Sequence, residues 1–171
     1  MFGNRVTLFK LLGFEVKLDS SWIVLAVLIP WSLAKGILPA CYEDMPAANY
    51  WAMGVAGAVG LFLSLIFHEL SHSLVARRFG IPMRGITLFI FGGVAEMSAE
   101  PPSAKAEFLT AIIGPISSLV IAAVFYGLLQ AGESVGWPPA INGVLFYLVW
   151  VNVVLALFNL LPAFPLDGGR V

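Results

Sequence analysis

The chain has 171 residues, of which 60% are hydrophobic and only 11% charged, and its mean hydropathy is +0.93. Soluble domains carry about 25% charged residues, so this composition excludes an ordinary soluble domain and points to a membrane protein. The net charge of −1 gives no basic surface for nucleic acid, and Cys41, the single cysteine, excludes an intrachain disulfide and a cysteine cluster for zinc.

Residues 1–20 read as strands on the cytoplasmic side, with 6–9 and 14–18 flanking Gly13. They lack the apolar core of a signal peptide and contain Glu15 and Asp19, so no cleaved leader is expected. A bilayer core takes roughly 20 apolar residues per helix, and 21–40, 51–76, 108–129 and 141–161 are expected to cross it. The first of these is the weakest, being interrupted by Pro30 and carrying Lys35. Residues 86–97 are β-branched and aromatic, with Gly92-Gly93 as a turn signal, and are too short to span. They predict a re-entrant apolar hairpin. It either anchors the loop at the surface or offers an open edge to an extended peptide.

Basic residues set the orientation. Arg5, Lys10 and Lys17 precede the first span, Arg77, Arg78, Arg84 and Lys105 separate the second from the third, and Arg170 follows the fourth. Only Lys35 falls on the other side, so both termini and the central loop are expected in the cytoplasm. Within the second span, Ala52, Ala56, Gly60 and Ser64 form a row of small residues that reads as a packing ridge or as a narrow path for substrate or water. Gly114-Pro115 is expected to loosen the third helix, and Asn152 to tie helices together.

Both histidines of the chain lie in Phe67-His68-Glu69-Leu70-Ser71-His72. Positions i and i+4 share a helix face, so His68 and His72 can meet one metal ion. Glu69, one step round the helix, is placed to act as a base on a water activated there. A catalytic zinc takes three protein ligands, and with no further histidine the third must be a carboxylate. Glu96, Glu100, Glu107 and Asp167 are the candidates on that side. Asp167 has the strongest context, because Pro162, Pro165, Gly168 and Gly169 break the helix around it. Irregular backbone at membrane depth belongs where it lines an enclosed or wet cavity, and a carboxylate there is a functional candidate. The rival reading is a membrane-exit loop whose Asp167 and Arg170 meet headgroups.

With these residues assembled, the chain resembles the site-2 protease family of intramembrane zinc metalloproteases. The likeness rests on 67–72 and on Asn159-Leu160-Leu161-Pro162 through Pro165-Leu166-Asp167-Gly168, with weaker support from 76–81, Phe91-Gly92-Gly93 and Gly114-Pro115. The resemblance implies one zinc ion per chain, held by His68, His72 and Asp167, with Glu69 as general base. It implies that Asn159 contacts the substrate backbone, and it turns the hairpin reading toward substrate binding at Phe91, Gly92 and Gly93. It further implies cleavage of transmembrane segments of regulatory proteins such as anti-sigma factors, in the inner membrane of a cell, with the active-site mouth facing the cytoplasm. Further C-terminal helices or paired CBS domains belong to the longer family members and are not within these 171 residues. A non-catalytic membrane protein that holds metal and captures helices without cutting them is the alternative. The expected fold is therefore an α-helical polytopic membrane protein, one unit over 1–171. About four transmembrane helices are joined by a short membrane-associated β-hairpin or sheet on the cytoplasmic side.

Overall fold

A computed structural model gives the structure of residues 5–89, 92–97, 101–161 and 167. In chain order it has strands β1 (Arg5–Leu11) and β2 (Phe14–Asp19), helices α1 (Trp22–Cys41) and α2 (Ala47–Arg78), and strands β3 (Met83–Phe89) and β4 (Gly92–Met97). Helices α3 (Ala104–Val135) and α4 (Pro139–Asn159) complete it. All four helices are long and apolar enough to cross a bilayer, as composition predicts for a multi-pass membrane protein. Their outward faces carry large apolar side chains such as Val27, Phe67, Val124 and Trp150, which suit contact with lipid.

Two helices are longer than expected. α2 and α3 are each 32 residues, because their polar ends continue the helix past the apolar run. Arg77 and Arg78 complement the carbonyl end of α2, and the Ser103 hydroxyl accepts from the Ala106 amide at 3.2 Å to cap α3. Gly80, at φ +73°, turns the chain out of α2 in the left-handed conformation that glycine tolerates. Before α1, the Ser21 amide donates to Asp19 Oδ1 at 2.9 Å and holds the Asp19 carboxyl below its ordinary range.

Neither Pro30 nor Pro115 breaks its helix. α1 passes Pro30 and widens into a π-helical turn at Leu33–Ile37, where the Leu38 amide reaches the Leu33 carbonyl. α3 continues through Pro115. The row of small residues on α2 also divides. Ala52 and Ala56 face outward, whereas Gly60 and Ser64 meet α4. A methyl group at Gly60 would lie 2.5 Å from Leu148 Cδ2, and Asn152 Nδ2 donates to Ser64 Oγ at 3.0 Å. Gly60 and Ser64 therefore pack helices together, and Asn152 is the interhelical tie that the sequence predicts.

The strands form one sheet in the order β1-β2-β3-β4. β1 and β2 are antiparallel, β3 and β4 are antiparallel, and β2 and β3 run parallel with Val16 opposite Ile86 and Leu18 opposite Leu88. The sequence gives two separate hairpins; joining them needs a parallel pairing between segments divided by two membrane helices, which no local pattern encodes. Gly92 and Gly93 also depart from expectation. They belong to β4, opposite Phe89 and Leu88, and do not make the turn. Phe14, Val16, Ile86 and Leu88 on the sheet pack with Trp22, Leu65, Ile66 and Leu70 into one buried cluster. That packing lays the sheet against the half of α2 that carries the histidines.

Candidate metal centre

His68 and His72 lie on the buried face of α2, 2% and 6% exposed, so the pair is withdrawn from lipid and from water alike. Each ring is held by its Nδ1. His72 Nδ1 donates to the Thr110 carbonyl, and His68 Nδ1 lies 2.9 Å from Ser118 Oγ. Both partners come from α3. A carbonyl can only accept, so the Thr110 contact puts a proton on His72 Nδ1 and leaves the lone pair of a neutral ring on Nε2.

The two Nε2 atoms converge on one carboxylate oxygen. Asp167 Oδ2 lies 3.1 Å from His68 Nε2 and 3.2 Å from His72 Nε2, and the three donor atoms fall within 4.8 Å of one another. A nitrogen lone pair and a carboxylate oxygen at this separation repel unless a proton or a cation lies between them. Donors held at about 2.0–2.1 Å around a tetrahedral ion are about 3.3 Å apart, close to the two spacings to Asp167. Two imidazoles and one carboxylate are also a donor set of catalytic zinc sites. The residues present therefore fit a zinc ion.

Glycines complete the enclosure. A methyl group at Gly114 on α3 would collide with His72 Nε2 and lie 2.7 Å from His68 Nε2. Gly114 thus faces the point where the donors meet. Thr110, Gly114 and Ser118 meet the histidines, and buried Ala106 and Ala122 continue the same four-residue spacing along α3. The sequence singled out Gly114-Pro115 but not the stripe around it, although the four-residue spacing was a legible signal. Gly93 has the same relation to Glu69. A methyl group there would lie 2.5 Å from Glu69 Cδ and 2.6 Å from Oε1, so β4 can press its backbone onto the carboxyl. Glu69 is 7% exposed.

The other candidates fall as follows. Glu107 is exposed in the first turn of α3, and Cys41 is exposed at the end of α1. Glu96 belongs to β4, while Glu100, Phe91, 162–166 and 168–171 lie outside the described residues. Asn159 is half-buried at the end of α4, with its Nδ2 donating to the Leu155 carbonyl at 2.9 Å.

The profile of peptidase family M50 matches residues 56–142 and 137–171, a span that includes both histidines, Glu69 and Asp167. The chain belongs to peptidase family M50. It is 42% identical over 168 residues to Rip3 of Mycobacterium tuberculosis, covering 98% of this chain and 42% of that protein. Zinc metalloprotease MJ0392 of Methanocaldococcus jannaschii is 34% identical over 169 residues, covering 97% of this chain and 44% of that protein. Among solved structures, the site-2 protease from Methanocaldococcus jannaschii superposes with a TM-score of 0.63 at 29% identity, covering 98% of this chain and 69% of that one. The chain thus spans less than half the length of these curated relatives, and what it shares with them is an M50 core.

Proposed function

We propose that this M50 core is a zinc-dependent intramembrane endopeptidase that cleaves transmembrane segments of regulatory membrane proteins, anti-sigma factors among them. The observation that carries the reading is the convergence of His68 Nε2, His72 Nε2 and Asp167 Oδ2 beside the buried carboxyl-bearing turn of α2. His68, His72 and Asp167 are the ligands of one zinc ion per chain. A zinc ion held by them supplies Lewis-acid polarisation of the scissile carbonyl and brings the pKa of a water toward about 7.

The chain's own residues do the rest. Glu69 takes a proton from the water and delivers it to the leaving amine. Thr110 and Ser118 keep the imidazoles turned so that Nε2 faces the ligand position. A helical substrate hides its carbonyls in i→i−4 bonds and must unwind before cleavage. β4 is the last strand in the order of the sheet, and its Gly93 packs on Glu69, which supports strand addition at Gly92 and Gly93 as the way the unwound segment is held. Phe91 and Asn159 share that substrate-holding role. The basic residues that flank the spans support an inner-membrane orientation with both termini and the site mouth toward the cytoplasm.

The test is cleavage of a transmembrane substrate co-reconstituted with the protein in liposomes. Treatment with a zinc chelator is expected to lower the rate at least about 100-fold, and stoichiometric zinc to restore it. A rate indifferent to the chelator, with zinc removal verified by elemental analysis, would overturn the reading.

A further inference from the structure

Toward the end of α2, the structure has a cleft of about 500 Å³ between α2 and α3, lined by Ser71, Leu74, Val75, Arg77, Arg78 and Ile113. Its polarity is graded along the helix axis. Arg77 and Arg78 stand at the end of α2, where the helix leaves the apolar region, and Leu74, Val75 and Ile113 lie deeper. The Ser71 hydroxyl donates to the Phe67 carbonyl at 2.8 Å, so the deep wall makes little polar demand. Arg77 is held in place: its Nη1 donates to the Leu12 carbonyl at 2.9 Å, and its guanidinium lies 4.8 Å from the centroid of the Phe14 ring. A guanidinium carries five donors, so this contact leaves others for a ligand.

We infer that this cleft binds one anionic phospholipid, with its phosphate on Arg77 and Arg78 and the start of an acyl chain along Leu74, Val75 and Ile113. Two arginines on the wall of one cleft, in the last turn of α2, match a phosphate, which arginine grips with paired hydrogen bonds. Basic pockets between membrane helices take such headgroups. The apolar floor selects an amphiphile over a free anion. None of the residues lining the cleft is a proposed metal ligand, and the inference does not depend on the chain being a protease.

The experiment is native mass spectrometry of the full chain, released from nanodiscs containing dioleoylphosphatidylglycerol and dioleoylphosphatidylcholine in equal amounts. One phosphatidylglycerol per chain is expected to be retained, with a preference of about tenfold over phosphatidylcholine. Arg78→Gln is expected to abolish most of that preference and Arg78→Lys to keep part of it. Ile113→Trp, which fills the cleft without changing charge, is expected to expel the lipid. Lys105→Gln, at an exposed base in the first turn of α3 outside the cleft, is expected to change nothing. Equal retention of the two lipids would overturn the inference, as would retention that survives both Arg78→Gln and Ile113→Trp. An equal loss in Lys105→Gln, or displacement of the lipid by millimolar inorganic phosphate, would reduce the site to general surface charge and also overturn it. Circular dichroism of each variant verifies that it is folded. Should Arg78→Gln not fold, Ile113→Trp and Arg78→Lys still decide the question.

Discussion

Replacing Glu69 with glutamine is expected to lower substrate cleavage about 10²–10⁴-fold, the usual contribution of a positioned general base, while zinc content stays at one per chain. Glutamine keeps the size and shape of the side chain, so the packing of Gly93 against it survives. What is lost is the capacity to accept a proton. The separation of the two readouts matters because Glu69 is not among the converging donors, which are His68, His72 and Asp167. A carboxyl group buried in an apolar membrane helix is costly and calls for a functional reason. Single-turnover cleavage in liposomes, with elemental analysis of the same preparation, checks the expectation. Equal rates for wild type and variant would remove Glu69 from the chemistry and favour a protein that holds metal without hydrolysing anything.

Gly114→Ala is expected to lose zinc almost completely, and with it all measurable cleavage. On helix propensity alone the change should stabilise α3 by about 1 kcal/mol, since alanine is the better helix former. Site geometry reverses the sign. The added methyl would collide with His72 Nε2 and sit 2.7 Å from His68 Nε2, at the place where the donors meet. The rings cannot swing aside freely, because Thr110 and Ser118 hold them by Nδ1. Zinc per chain measured by elemental analysis, alongside helix content by circular dichroism, checks this. A folded Gly114→Ala protein with full zinc would mean that α3 does not close the site.

How much of this was legible in the sequence differs from element to element. The four helices were legible because lipid demands long apolar runs, a signal carried by single residues in succession. The proposed ligands were legible for another reason: His68 and His72 share a helix face at a fixed local spacing, and Asp167 had the strongest context among the few candidate carboxylates. Its approach to both rings required no knowledge of the path between α2 and the end of α4. The sheet was only half legible. Each hairpin has its own local pattern, but the parallel ladder from Val16 to Ile86 is a tertiary pairing. Gly92-Gly93 misled for a related reason. A glycine pair signals a turn when read locally, whereas Gly93 is small because Glu69 occupies the space a side chain would need. The same substitution of steric need for backbone freedom explains Gly114, whose purpose is visible only once α3 lies against the histidines.

Zinc K-edge X-ray absorption of the purified protein, wild type and Asp167→Ala, tests the metal centre most directly. The expected wild-type result is stoichiometric zinc with two imidazole nitrogens and carboxylate oxygen at about 2.0–2.2 Å, and a clear fall in zinc occupancy in Asp167→Ala. A wild-type spectrum without two imidazoles, or full occupancy and an unchanged spectrum in Asp167→Ala, would contradict the assignment of His68, His72 and Asp167 as its ligands.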